Sequence, residues 1–210
     1  GVSVGPDGGT HQPLEDIGLM RMIPRMVVIS PCDSIEAKKA TLATAKYDGP
    51  VYIRLAREAT PIITTGDTPF EIGKAQLFFA PKDGVSVKVG IIATGALVHN
   101  AILAGKQLEE RGIGAKVLNL ASVKPIDEEA ILALAKECGA IVTVEEHQIR
   151  GGMGSAVAEC LSENYPTPIE FVGIDDKFGQ SGTPDELEKH YKIDTSDIIE
   201  KVEKILKRRI

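Results

Sequence analysis

The sequence predicts an α/β protein. It reads as an incomplete parallel-sheet α/β domain over residues 1–65, then a complete, mostly parallel α/β C-terminal domain over residues 66–210 with one antiparallel edge strand. Three observations carry this. Short β-branched runs alternate with amphipathic segments through the second half of the chain, the pattern of a parallel sheet flanked by helices. Runs such as Val87 to Ala93 (VKVGIIA) and Ile169 to Ile174 (IEFVGI) are close to continuously apolar, which fits strands covered on both faces. The first 60 or so residues, by contrast, offer two strands and two helices, too few to cover both faces of a sheet.

Taken in order, Pro13 to Met22 reads as a short helix with Pro at its first position. Met26 to Ile29 and Val51 to Leu55 read as strands around a helix from Ser34 to Tyr47. Ala59 to Thr68, rich in Thr, Pro and Gly, is the expected linker. Gly73 to Ala80 is then separated from Ser86 onward by Pro81-Lys82-Asp83-Gly84, whose Asp-Gly pair favours positive φ and a hairpin. The expectation is an antiparallel edge strand paired with Val87 to Ala93. Beyond it come a helix marked by Leu97, Ala101 and Leu108, a strand Ala115 to Leu120, and a helix Asp127 to Cys138 with Asp127 as N-cap. A strand Ala140 to Glu145, a helix Gly154 to Asn164 and the strand Ile169 to Ile174 follow, with helices near Pro184 to His190 and Thr195 to Arg208.

Composition narrows the function classes. The 210 residues are 43% hydrophobic and 26% charged with no low-complexity tract, a soluble globular composition. Lys and Arg total 24 against 30 Asp and Glu, a formal charge of -6, and no dense basic stripe is present to neutralise phosphates, so no nucleic-acid partner is expected. The basic ending Lys204, Lys207, Arg208, Arg209 reads as the positive last turn of a helix. No apolar run approaches the roughly 18 to 20 residues of a membrane span, and no signal peptide is evident, so no membrane partner is expected. Cys32, Cys138 and Cys160 are scattered, as reduced thiols of a cytoplasmic protein would be. The chain opens Gly1-Val2-Ser3 without Met, which leaves room for residues ahead of it.

Three local features invite a chemical reading. In Gly5-Pro6-Asp7-Gly8-Gly9-Thr10-His11-Gln12, a glycine-rich loop holds an acid and an imidazole four residues apart, ahead of a helix whose unpaired amides attract negative charge. Asp7 and His11 there can bind hydroxyls and move a proton near neutral pH; a Pro-Asp-Gly turn with a hydrogen-bonded imidazole is the alternative. Arg57 lies just past the end of a strand, where open α/β sheets place ligands, and can clamp a phosphate; an ordinary surface pair, with Glu58 for instance, is the alternative. Arg54 is less well placed. In Glu145-Glu146-His147-Gln148-Ile149-Arg150-Gly151-Gly152-Met153-Gly154 a strand runs through a glycine turn into a helix. That turn can form an anion nest, but close packing at a domain or subunit contact is the preferred reading. Adjacent strand-end carboxylates diverge, so no metal site is read there.

Together these segments resemble the transketolase family. Gly5 to Gln12 resembles its D-G-x-T-H-Q loop, Arg21-Met22-Ile23-Pro24 the R-x-[IL]-P that follows, and Pro31-Cys32-Asp33 and Leu55-Ala56-Arg57 its P-x-D and final arginine segments. Val144-Glu145-Glu146-His147 with Gly151 to Gly154, and Gly179-Gln180-Ser181-Gly182, resemble its C-terminal domain. The likeness covers essentially the whole chain. It implies that residues 1–65 are the C-terminal part of a domain binding the pyrimidine of thiamine diphosphate, and that 66–210 are the transketolase C-terminal domain.

The implied reaction moves a two-carbon ketol unit from a ketose phosphate to an aldose phosphate, with the cofactor as electron sink. The resemblance gives His11 the catalytic position against the donor carbonyl, Asp7 a donor hydroxyl, and Arg57 the substrate phosphate. It assigns the cofactor-activating glutamate, the diphosphate and its divalent metal (Mg) to parts outside this sequence. No cofactor or metal ligand is therefore assigned here, and an N-terminal section is the implied partner, within a homodimer or heterotetramer. The loop is shared with deoxyxylulose-phosphate synthases and 2-oxo-acid decarboxylase beta components, which stay open as alternatives, as does a non-catalytic dimerisation module.

Overall fold

The computed structural model describes residues 1–208, so Arg209 of the basic ending lies outside the described residues. A kinked 3-10 segment at Val2–Asp7 leads to helix α1 (Asp16–Met22), strand β1 (Val27–Ile29), α2 (Ser34–Thr44) and β2 (Val51–Ile53). An irregular stretch then reaches β3 (Gln76–Phe79), β4 (Val87–Ala93), α3 (Val98–Glu110), β5 (Gly114–Asn119) and β6 (Ser122–Lys124). The chain closes with α4 (Glu128–Cys138), β7 (Ile141–Gln148), α5 (Met153–Asn164), β8 (Ile169–Ile174), α6 (Pro184–Tyr191) and α7 (Thr195–Lys207).

The larger sheet has the order β3-β5-β4-β7-β8, parallel except for β3. Its central strands read as they do because both faces are covered. α3 and α7 pack on one side, over Val89, Ile91, Ala93, Val142 and Val144, while α4 and α5 pack on the other, over Ile92 and Ile141. Helix starts follow local chemistry. Asp127 accepts from the amide of Ala130 at 3.1 Å, as a cap should, and Thr183 and Asp194 open α6 and α7 with reciprocal capping boxes.

Three expectations are corrected. The edge strand β3 is antiparallel as anticipated, but it pairs with β5 rather than β4. The Asp83-Gly84 turn forms, with Val85 N–H donating to the Lys82 carbonyl at 3.2 Å. Both edges of the buried β4 are, however, taken by parallel partners β5 and β7. β5, at one end of the parallel strands, has an open edge, and half-exposed β3 takes it. Second, α1 starts at Asp16, not Pro13. The carbonyls that would begin the helix are drawn elsewhere: Pro13 O accepts from Arg54 Nη2 at 3.0 Å and Leu14 O from Gln148 N at 2.7 Å. Third, the small sheet contains β6, a strand that the sequence pattern does not predict. Its order is β2-β1-β6, with β6 antiparallel to β1. The C-terminal half of the chain thus supplies a strand to the sheet of the first segment and ties the two together.

Candidate functional site

Residues at the C-terminal ends of strands from both sheets line one cleft of about 250 Å³. Ser30 and Pro31 follow β1, Arg54 to Arg57 follow β2, Thr94 to Ala96 follow β4, and Glu146 lies near the end of β7. In the large sheet the chain leaves β4 for β5 on one side and returns to β7 on the other. The loop after β4 therefore opens at the switch point where parallel sheets leave a crevice for ligands.

The loop at residues 5–12 brings His11 to this cleft, where it faces the same space as Arg57. His11 Nδ1 lies 2.9 Å from Thr10 Oγ1, which fixes one ring nitrogen and leaves Nε2 as the one that can meet a substrate. Asp7 stands at the rim, ion-paired to Arg57. The pairing is with Asp7, not with Glu58. Arg57 is 53% and Asp7 33% exposed at the side chain, so the pair is weak and can open to a ligand. The three residues singled out by sequence thus come together, contributed by segments 50 residues apart.

Arg54 matters more than its sequence position suggests. It too lines the cleft, and its side chain is 12% exposed. Its Nε donates to Asp16 Oδ2 at 2.8 Å, and the Tyr52 hydroxyl donates to the same oxygen at 2.8 Å. Burial works to raise the Asp16 carboxyl, but Arg54 and the Tyr52 hydroxyl outweigh it and hold it below its ordinary value. An arginine locked in this way has a fixed place on the cleft wall, with its charge largely balanced by the Asp16 carboxylate beside it. The sequence signal was present, since Asp16 and Arg54 are both charged residues at apolar element ends, but nothing local indicated that they meet.

The Glu145 to Gly154 segment is a contact between the two halves. Glu145 is buried and accepts from Met153 N at 2.7 Å and Gly154 N at 2.8 Å, so the chain's own carboxylate fills the α5 N-terminus in place of an outside anion. Burial, only partly offset by those amides, pushes Glu145 up to about 7. Glu146 points the other way, to the Ser3 hydroxyl at 3.1 Å and to the cleft. His147 accepts from Gly18 N at 3.2 Å, joining β7 to α1, and burial lowers its pKa. Among the described residues no three His, Cys, Asp or Glu side chains gather as metal ligands would. Cys32, Cys138 and Cys160 are buried and form no disulfide, and no described helix is long and apolar enough to cross a membrane.

Comparison with known proteins decides the family. The model of the transketolase pyrimidine-binding domain matches residues 1–62, and that of the transketolase C-terminal domain matches residues 82–198. The chain belongs to the transketolase family. Among its transketolase relatives, a 6-deoxy-6-sulfo-D-fructose transketolase subunit of a Clostridium species is 42% identical over 209 residues, covering 100% of this chain and 63% of the relative. An apulose-4-phosphate transketolase subunit of Phocaeicola vulgatus is 41% identical over 199 residues, covering 94% of this chain and 62% of the relative. A solved split-gene transketolase, described as an inactive β4 tetramer, superposes with a TM-score of 0.89 at 42% identity, covering 97% of this chain and 65% of that one. A transketolase of Campylobacter jejuni shares the fold at 22% identity, with a TM-score of 0.72, over 97% of this chain and 30% of that one. The chain therefore spans less than two thirds of the length of these transketolases.

Proposed function

We propose that this chain is the C-terminal section of a thiamine-diphosphate-dependent transketolase, moving a two-carbon ketol unit from a ketose phosphate to an aldose phosphate once joined by an N-terminal section. The observation that carries the reading is the single cleft in which His11 and Arg57 face each other's space with Asp7 at the rim. Arg57 holds the terminal phosphate of the sugar. Binding at that remote group orients the reacting end of the donor. Asp7, released from Arg57 when the phosphate arrives, accepts from a donor hydroxyl. His11 Nε2 hydrogen-bonds the donor's carbonyl oxygen and accompanies its change of charge. The relatives named for a sulfo-sugar and for a sugar phosphate support an anionic sugar as substrate class.

The residues of this cleft, two guanidiniums, an imidazole and diverging carboxylates, do not make a diphosphate-and-metal site. We therefore assign the diphosphate of the cofactor and its magnesium to the N-terminal section, which also supplies the activating glutamate. Exposed Leu19, Met22, Ile23, Leu42, Leu55 and Ile62, all within the first 62 residues, support a surface meant to be covered by further chain. The solved neighbour described as an inactive β4 tetramer supports expecting no activity from this section alone. We place the boundary between the two domains at residues 65 and 66, within the irregular stretch after β2.

The test is reconstitution: this chain with an N-terminal section, thiamine diphosphate and magnesium, assayed for ketol transfer. Activity is expected with both sections and with neither alone. His11→Ala should lower kcat by about 100-fold or more, and Arg57→Ala should raise KM for phosphorylated donors by about tenfold or more. Turnover of pyruvate in place of a ketose phosphate would move the chain to the synthase or decarboxylase reading. Unchanged activity in His11→Ala would leave only the dimerisation role.

A further inference from the structure

Asp7 and His11 are exposed, and among the described residues their side chains bond only to Arg57 and to Thr10. Two such contacts on a glycine-rich loop would not hold an acid and an imidazole in one arrangement, because glycine leaves the backbone free to move. Something behind the loop must hold it. That something is the C-terminal domain. Val2 is fully buried in the same core as Leu187 and Tyr191 of α6. The backbone of Gly9 lies so close to that of Gly179 that a Cβ on Gly9 would stand 2.8 Å from the Gly179 carbonyl oxygen.

At the centre of this contact is Gln12, which is 3% exposed. Its Nε2 shares two hydrogens among three carbonyls, Val2 O at 3.2 Å, Gly5 O at 3.0 Å and Gln180 O at 3.0 Å. One amide thus ties the start of the loop, its bend and the C-terminal domain to one point. Its Oε1 is buried without a partner, so the contact uses the donor end of the amide and leaves the acceptor end unpaired. Gly179 completes the fit: a Cβ there would stand 2.1 Å from Gln12 Oε1. Any larger residue would drive the amide out of its place.

We infer that Gln12, seated against Gly179 and Gln180, is a positioning residue that holds Asp7 and His11 at the cleft, so that the C-terminal domain shapes donor binding from behind the loop. The inference rests on the assignment of Asp7 and His11 to the donor. It makes the Phe178–Thr183 segment, which does not line the cleft, a determinant of how well the donor is bound. The catalytic contacts remain those of His11, and Gln12 touches no substrate.

The test uses the chain assembled with its N-terminal section and two single variants, Gln12→Ala and Gly179→Ala, with the double variant Gln12→Ala/Gly179→Ala. Amide hydrogen exchange across residues 3–11 reads the seat without any activity. Steady-state kinetics with a ketose phosphate reads its consequence. Both single variants should exchange at least about tenfold faster at these amides, as expected from losing hydrogen bonds each worth about 1 kcal/mol net. Both should raise donor KM by at least about tenfold, with the affinity for thiamine diphosphate unchanged. Gly179→Ala should add little once Gln12 is Ala, because the severe clash is with the amide and only a 3.1 Å approach to the Cβ of residue 12 remains.

Unchanged exchange in both variants would overturn the inference. So would faster exchange with donor KM unmoved while Asp7→Ala raises it, since the loop would then be held without being positioned. If Asp7→Ala and His11→Ala both leave the kinetics unmoved, the donor assignment itself fails and the inference with it. The exchange data would then still report whether Gln12 seats the loop.

Discussion

Replacing Asp33 should unfasten the stretch that links the two halves. Asp33 is 4% exposed, and its carboxylate accepts four hydrogen bonds. One comes from Glu36 N at 2.8 Å, which caps α2. The other three come from the linker: Ile63 N at 2.8 Å, Thr64 N at 2.7 Å and the Thr64 hydroxyl at 2.8 Å. Asp33→Ala loses a cap worth about 1 kcal/mol. It also leaves two backbone amides without an acceptor, at about 1–3 kcal/mol each, while the hydroxyl can turn to another partner. The expected loss is about 3–7 kcal/mol, towards the lower end because Ile63 is only half-buried and water can reach it. Asn recovers only part of this. Whichever way its amide turns, its NH2 meets at least one backbone N–H that the carboxylate had accepted from.

Urea unfolding followed by circular dichroism measures the change, read from the midpoint with the slope unaltered. The pH dependence gives a second reading. Burial pushes the Asp33 carboxyl up, but the amide of Glu36 and the amides and hydroxyl of the linker outweigh it, so the folded value lies below 3.8. A depressed carboxylate contributes stability above its unfolded pKa and loses it as pH falls through the folded one. The gap between wild type and Asp33→Ala should therefore be widest near neutrality and narrow below about pH 4. A loss under about 1 kcal/mol at pH 7, or a gap that does not narrow in acid, would refute the account of Asp33 as the linker's anchor.

Glu145 gives the opposite sign. Its folded pKa is raised to about 7, so its contribution is fully present below about 4.5 and is lost as pH rises through 7. Wild type should lose about 2–3 kcal/mol relative to Glu145→Gln between pH 5 and pH 8; a difference independent of pH would mean that the carboxyl does not titrate there. Gly139 ends α4 with φ 67° and returns its N–H to Ala135 O at 2.8 Å. Gly139→Ala should lower the thermal midpoint by a few degrees, about 1 kcal/mol, because L-residues are strained in that region.

The period of the apolar residues by itself determined most of the C-terminal sheet and its helices. A strand such as Val87 to Ala93, buried on both faces along most of its length, announces itself in sequence because nearly every residue must be apolar. Caps such as Asp127 are equally legible, since their partners lie within three residues. Asp7, His11 and Arg57 could be picked out because a glycine loop, a strand end and a family motif mark them locally. Most of what joins distant segments escaped, the glycine turn at Gly151 to Gly154 excepted. β6 is three residues whose only reason to be a strand is the open edge of β1. β3 chose β5 over β4 because both edges of β4 were already filled, a competition no local turn signal records. Arg54 and Asp16, 38 residues apart, and Gln12 and Gln180, 168 residues apart, become partners only when the chain is folded. Hydrogen bonds and close contacts act over about 3 Å of space whatever the separation along the chain. Sequence therefore announces the residues that serve their own element, and the tertiary structure decides which of the others meet.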